Sequence, residues 1–191
     1  MSLDVYVGSL TRYYLDSPLT VSRAAVLAWR DGLRAQLGDR LNEPLDWDES
    51  PDGPSFTDKA RWEGYGGALL LAAHVEHPRL PVPDDISPDW PDDPAYLAVI
   101  SAGTGPRFDQ VLLPELWLPC RFAFTFRTRD ATGQGIEVGS SPALLTQLEV
   151  LRDEHPGERG TLGPVAHAGL AVLLRMAERS VRHRVPMKLE F

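Results

Sequence analysis

The stretch Phe122-Ala123-Phe124-Thr125-Phe126-Arg127 carries the clearest β-strand pattern in this chain. A phenylalanine occupies every second position, which is the period of a strand with one buried face. Gly133 and Gly135 follow, and an apolar alternation resumes at Ile136 and Val138. Two alternating runs joined by a glycine-containing turn predict a β-hairpin, so we expect an antiparallel sheet.

Two helical patterns and a strand pattern follow the hairpin. Ser141 before Pro142 is typical of a helix N-terminus, and leucines at helical spacing extend the helix to about residue 154, where His155-Pro156-Gly157 ends it. Residues 163–183 carry another apolar stripe at helical spacing. Residues 186–191 alternate and predict a final strand.

The amino-terminal part begins with a strand and a helix. Apolar residues alternate over residues 3–7, which predicts a short strand. Ser17 followed by Pro18 predicts the start of a helix that ends near Gly38.

The middle of the chain predicts a further helix over residues 59–76, although it contains three glycines, Gly64, Gly66 and Gly67. Glycine lowers helix propensity by about 1 kcal/mol relative to alanine, so we interpret these glycines as positions of close packing. Residues 95–101 predict a short helix or strand.

The order of these elements predicts an α+β fold, with helices packed on a mostly antiparallel sheet. A chain of 191 residues is long enough for one well-buried core and short for two domains, so we expect a single domain over residues 1–191. Two proline-rich acidic loops interrupt it, at about residues 39–58 and 78–94.

The charge of the chain is concentrated in its middle. Residues 43–93 hold 13 acidic and three basic residues, whereas the whole chain has a net charge of −8. The remainder is therefore close to neutral. An acidic surface of this kind suits a basic partner, although solubility alone also accounts for it, and the negative charge argues against nucleic acid as a partner.

The sequence shows no pattern of a signal peptide or of a membrane-spanning segment. Residues 1–10 have neither the basic nor the apolar region of a signal peptide, and the longest apolar run is shorter than the roughly 20 residues needed to span a bilayer. The single cysteine, Cys120, fits a reducing compartment. We expect a cytoplasmic protein that does not associate with membranes.

Motifs for metal, cofactor or nucleophilic chemistry are weak. His74 and His77 lie three residues apart with Glu76 between them, which is neither the spacing nor the order of a zinc-protease helix. Cys120 is interpreted as a core residue, and Ser140 lacks the surrounding glycines of a nucleophile elbow. The loops Gly103-Thr104-Gly105 and Gly133-Gln134-Gly135 do not continue into a phosphate-binding motif. We therefore predict no catalytic residue, no metal site and no cofactor.

The segment Arg12-Tyr13-Tyr14 is a candidate contact site. Two adjacent tyrosines on one helix do not share a face, so one of them remains available for a partner. Tyrosine and arginine are enriched at interface hot spots, but amphipathic residues at the rim of the core give the same pattern.

Two segments carry a resemblance to a known group of proteins. The opening Met1-Ser2-Leu3-Asp4-Val5-Tyr6-Val7-Gly8 and the following Leu10-Thr11-Arg12-Tyr13-Tyr14 resemble the start of uncharacterised bacterial proteins associated with polymorphic-toxin immunity families. Gly135-Ile136-Glu137-Val138-Gly139-Ser140-Ser141 also resembles a strand-to-helix passage of such proteins. The resemblance implies an immunity function and assigns no functional residue.

These observations favour a non-catalytic binding protein that masks a basic surface of a toxin or effector. The residues predicted to contact that partner are Asp46, Trp47, Asp48, Glu49, Asp84, Asp85, Trp90 and Asp92, with the two tryptophans as apolar anchors. One alternative is a small enzyme or ligand-binding domain with a cleft near His74, His77, Tyr13 and Glu63. Another is a homo-oligomer whose exposed aromatic residues are self-complementary.

Overall fold

A computed structural model describes residues 2–15, 21–41, 43–102, 105–154 and 162–190. The strands are β1 (Ser2–Val7), β2 (Phe56–Arg61), β3 (Leu116–Leu118), β4 (Phe126–Arg129), β5 (Gly135–Ser140) and β6 (Met187–Glu190). The α-helices are α1 (Leu10–Leu15), α2 (Arg23–Leu37), α3 (Trp62–Glu76), α4 (Pro94–Ser101), α5 (Asp109–Leu112), α6 (Ser141–Glu154) and α7 (Leu162–His183). Short 3-10 turns cover Gly38–Arg40 and Trp90–Asp92.

The strands form one open sheet in the order β2-β1-β6-β3-β5-β4. All neighbouring strands are antiparallel except β3 and β5, which are parallel. The prediction of an α+β fold with a mostly antiparallel sheet is confirmed. Within the described part of the chain, no helix is long and apolar enough to cross a membrane.

One face of the sheet is covered by α3, α6 and α7. The inward side chains of β1, Leu3, Val5 and Val7, belong to the same buried cluster as apolar residues of these three helices. Gly64 of α3 and Gly169 of α7 bring the two helix backbones into contact, since a Cβ atom at Gly169 would overlap the Gly64 carbonyl group. The interpretation of the α3 glycines as close-packing positions is confirmed.

The other face is covered by α1, α2 and the loop over residues 43–50. Leu10 and Tyr14 of α1 and Val26 of α2 belong to one buried cluster with Leu116 and Val138 of the sheet. This second core is separated from the first by the sheet itself. The single sheet is therefore sandwiched between two helical layers of unequal size.

The hairpin is confirmed, but its first strand is shorter than predicted. Only Phe126–Arg129 pairs with β5, whereas Phe122 and Phe124 precede the strand and stack with Phe126 in the second core. Their alternation reflects burial against a helical layer instead of pairing in the ladder. Periodicity reports which side chains are buried and does not identify a hydrogen-bonding neighbour.

The helix predicted over residues 59–76 begins later, at Trp62, because Phe56–Arg61 forms an edge strand paired with β1. Strand β3 was not predicted, since three buried residues between Pro114 and Pro119 show no alternation. The helix expected to begin at Ser17 is described only from Arg23, where the Ser22 side chain caps it. Ser17, Pro18 and the predicted helix end at His155-Pro156-Gly157 lie outside the described residues.

Candidate functional site

The acidic segment between α3 and α4, residues 78–93, forms a strap that is fixed to the first core. Trp90 lies 5% exposed, and its ring packs against those of Trp62, Tyr65 and Tyr96. Trp62 also donates a hydrogen bond from its indole nitrogen to the Pro88 carbonyl oxygen, at 2.9 Å. A proline-rich segment of this kind lacks a hydrogen-bond ladder, so these contacts position it.

A glycine on α3 makes room for the tryptophan of the strap. A Cβ atom at Gly66 would overlap the Trp90 ring, and one at Gly67 would meet Ile86 of the strap and Ala166 of α7. The glycines of α3 therefore accommodate the strap as well as α7. The surface that the strap presents is held by buried contacts at Ile86 and Trp90.

Four carboxylates of the strap point to solvent. Asp84, Asp85, Asp89 and Asp92 are exposed, and among the described residues none of them forms an ion pair. Asp85 accepts a hydrogen bond only from the neighbouring backbone N–H of Ile86, at 2.8 Å. The strap thus carries four exposed carboxylates outside any ion pair with a described residue, against one basic residue of its own, Arg79.

Asp93, at the end of the strap, has a different role. Its carboxylate caps α4 by accepting hydrogen bonds from the backbone N–H groups of Ala95 and Tyr96. The His74 ring nitrogen lies 3.4 Å from the same carboxylate, and both side chains are nearly buried. Asp93 is therefore a structural residue that fixes the junction of strap and helix.

The other acidic loop, residues 43–52, is largely engaged with the protein itself. Asp46 forms ion pairs with Arg34, at 2.5 Å, and Arg30, at 3.4 Å. Asp48 is exposed but accepts the backbone N–H of Ser50 at 2.8 Å. Among the described residues, this loop therefore exposes three carboxylates outside any ion pair, Glu43, Asp48 and Asp52, against four on the strap.

Two residues of this loop that were predicted to contact a partner are in the interior. Trp47 is 4% exposed in the second core, and Glu49 is 3% exposed. The Glu49 carboxylate accepts the backbone N–H groups of Leu10, at 3.1 Å, and Thr11, at 2.7 Å, and also the indole N–H of Trp47. Glu49 thus caps the first turn of α1. Because Trp47 and Glu49 are both buried, the prediction that they contact a partner is wrong.

The prediction that Trp90 contacts a partner is also wrong, because its ring is buried in the first core. The apolar side chains that do reach solvent beside the strap are Val82, Leu97 and Ile100, and the two α4 residues are 41% and 45% exposed. Sequence reasoning missed them. The sequence signal is a short helix with apolar residues on all of its sides, namely Ala95, Leu97, Val99 and Ile100. Because such a helix packs on one side only, it must expose some of them.

The structure does not bring Tyr13, Glu63 and His74 together at one site. Tyr13 belongs to α1 on one side of the sheet, and His74 lies on α3 on the other. Glu63 and His74 are at opposite ends of α3, about 16 Å apart along a helix that rises 1.5 Å per residue. Among the described residues no group of three or more histidine, cysteine or acidic side chains is arranged to hold a metal ion.

Cys120 and Ser140 are both structural. Burial raises the pKa of the Cys120 thiol, which disfavours the thiolate that a nucleophile requires. Ser140 donates a hydrogen bond to the Cys120 carbonyl oxygen at 2.7 Å, and its oxygen accepts the backbone N–H of Ala143 at 3.3 Å. These contacts connect the loop after β3 to the start of α6.

Comparison of the chain with protein-family models, with curated proteins and with solved structures finds no match.

Proposed function

We propose that this protein is a non-catalytic binding protein that docks a basic protein surface on its strap. The exposure of four unpaired carboxylates, Asp84, Asp85, Asp89 and Asp92, on a segment locked to the core carries the proposal. Because Trp90 and Ile86 already fix the strap, little conformational freedom is lost when a partner binds.

Charge and apolar surface are adjacent in this region, which supports a protein partner over a small cation. Leu97 and Ile100 lie three residues apart on α4, directly after the strap, and are exposed on it. Protein interfaces combine an apolar centre with a polar rim. In the proposed complex the two aliphatic side chains form the apolar centre and the strap carboxylates steer the partner.

The proposal extends to the identity of the partner as a toxin or effector, which the protein neutralises by covering a basic surface. The resemblance of the segments around Val5 and Val138 to polymorphic-toxin immunity proteins supports this extension. Neutralisation would be steric and electrostatic, without any reaction on the partner.

The test is capture of a partner from the native host, and of the purified product of the neighbouring gene, at low and high salt. The screening length falls from about 10 Å at 0.1 M to about 3 Å at 1 M salt, so association steered by exposed charges weakens. A variant with Asp84, Asp85, Asp89 and Asp92 changed to Asn is expected to lose the salt-sensitive part of binding.

A charge-matched control removes four exposed acidic residues elsewhere, and they are Asp39, Glu149, Asp153 and Glu178. The control keeps the wild-type affinity if the strap is the contact surface. Equal losses in both variants would mean that only net charge matters and would contradict the proposal. The immunity role is tested separately, by whether co-expression protects cells from the toxicity of the neighbouring gene product.

A further inference from the structure

A small cavity lies beside α1, away from the strap. It has a volume of about 290 Å³, and Tyr6 and Tyr13 contribute aromatic residues to its lining. Arg12 and Glu190 contribute the charged groups of its wall. This cavity thus combines aromatic surface with one positive and one negative side chain.

The negative charge of Glu190 acts on the nearby Lys188 and Tyr13, but among the described residues it has no ion-pair partner. Arg12 and Glu190 are exposed, and neither forms an ion pair with any described residue. By contrast, Arg175 and Asp58 on the neighbouring surface are joined by hydrogen bonds. A guanidinium and a carboxylate that line one cavity without pairing are available to a ligand that carries both an anionic and a cationic group.

The walls of the cavity are held in place before any ligand arrives. Glu49 caps the first turn of α1, which carries Arg12 and Tyr13. The rings of Tyr6 and Tyr13 lie 5.3 Å apart between centroids, and the Lys188 ammonium lies 5.5 Å from the centre of the Tyr13 ring. A preorganised wall lowers the entropy lost on binding.

Tyr13 adds a hydrogen-bond donor to this wall. Burial, followed by the negative charges of Glu190 and Asp130, raises the pKa of Tyr13 to about 12. Its hydroxyl group therefore stays protonated at neutral pH. Ser55 and Thr57 also line the cavity, and the hydroxyl group of each can donate or accept a hydrogen bond.

We propose that this cavity binds a small zwitterion of the α-amino acid class. The ligand carboxylate pairs with the Arg12 guanidinium, its ammonium group pairs with Glu190, and its side chain packs on the tyrosine rings. The volume is at the lower end of the range for ligand pockets, roughly 300 to 1,000 Å³, which suits a molecule of this size. This site is independent of the proposed docking of a basic protein on the strap.

The test is a titration of the full chain with glycine, L-phenylalanine and L-arginine, followed by amide shifts in two-dimensional NMR. Saturable shifts are expected around Arg12, Tyr13 and Thr57. Glycinamide, which lacks the carboxylate, and N-acetylglycine, which lacks the ammonium group, are expected to bind at least about tenfold more weakly, because each loses a charge-assisted hydrogen bond.

Two variants identify the protein side of these contacts. Arg12→Gln and Glu190→Gln are each expected to weaken binding about tenfold or more, and the matched surface variants Arg121→Gln and Glu178→Gln are expected to bind as the wild type does. Absence of saturable binding by all three amino acids overturns the proposal. So does binding that both cavity variants retain, and loss confined to Arg12→Gln, which indicates a simple anion site.

Discussion

Glu49 shows how one buried carboxylate joins distant parts of the chain. Its two oxygens accept hydrogen bonds from the amino-terminal turn of α1 and from the Trp47 indole group, so it connects the second core to a helix of six residues. A helix this short is not stable by itself in water. The cap therefore decides whether Arg12 and Tyr13 are held beside the cavity.

The first prediction concerns this cap. Glu49→Gln removes the charge while preserving the size of the side chain, and hydrogen bonds to a charged group contribute about 1.5–3 kcal/mol each. We expect the free energy of unfolding, measured with urea at neutral pH, to fall by about 2 kcal/mol. Glu178→Gln, at an exposed position of α7, should change it by less than about 0.5 kcal/mol. Equal effects would show that the cap is unimportant.

Asp130 holds the turn of the β4–β5 hairpin and ties it to α1. One oxygen accepts the backbone N–H and the hydroxyl of Thr132, at 2.8 and 2.6 Å, and the other accepts the Tyr14 hydroxyl at 2.8 Å. Burial opposes ionisation of Asp130, but the hydrogen bonds from Thr132 and Tyr14 outweigh it and lower the pKa of this carboxyl group. Gly133 completes the turn with a positive φ of 86°.

The second prediction follows from this lowered pKa. Because the pKa is lower in the folded state, the stabilisation from ionised Asp130 is complete above the ordinary value of about 3.9 and is lost as pH falls through the folded value. The difference in unfolding free energy between wild type and Asp130→Asn should therefore shrink below about pH 4. Urea unfolding across an acidic pH series measures it, with the exposed Asp39→Asn as control. A difference that does not vary with pH would contradict the assignment.

At the scale of elements, the contact of α3 with α7 depends on the absence of side chains at its centre. The glycines at 64 and 169 let the two backbones touch, and the same helix α3 accepts the Trp90 ring at Gly66. The low helix propensity of these glycines is offset by the close approach that they permit. Both α7 and the strap therefore pack against α3.

The third prediction uses two glycines in opposite environments. Gly169→Ala should destabilise the protein by about 1–3 kcal/mol or more, because the added methyl group overlaps the backbone of α3. Gly32→Ala, on an α2 position with no atom near the new methyl group, should stabilise it by about 0.5–1 kcal/mol. Thermal and urea unfolding of the two variants measure these changes in stability. A stabilising Gly169→Ala would mean that the helices are further apart.

At the scale of the whole molecule, the protein presents two separate surfaces on opposite sides of its sheet. The strap and α4 lie with the first core, and Arg12 and Tyr13 lie beside the second. The charge of the strap acts over a distance in solution, whereas the exposed side chains of α4 act only on contact. The two contributions to partner binding can therefore be separated by salt.

The fourth prediction separates them. The double change Leu97→Ser and Ile100→Ser should lower the affinity for the captured partner about equally at low and high salt, since burial of aliphatic surface is not screened. Changing the strap carboxylates should instead remove the salt dependence. Each side chain is more than half buried, so each substitution should lower the free energy of unfolding by about 1 kcal/mol, and folding of the variant is checked before affinity is compared. Unchanged affinity would exclude α4 from the interface.

The sequence alone was sufficient for elements with a regular local pattern. The strand at residues 3–7, the helices after Ser141 and before Pro186, and the final strand all follow from side-chain periodicity within a short window. The concentration of charge in residues 43–93 is also a property of the sequence by itself. These features depend on near neighbours along the chain, so they can be identified without a fold.

Only the tertiary structure decided which residues of the acidic tract face solvent. Trp47, Glu49 and Trp90 are buried by contacts with α1, α3 and α4, whereas the strap carboxylates and Leu97 remain exposed. It also determined that β2 pairs with β1 and that β3 pairs with β6. The placement of Arg12 and Glu190 at one cavity is likewise a result of the tertiary structure. These outcomes depend on residues far apart in the chain, and no local pattern encodes contacts at that separation.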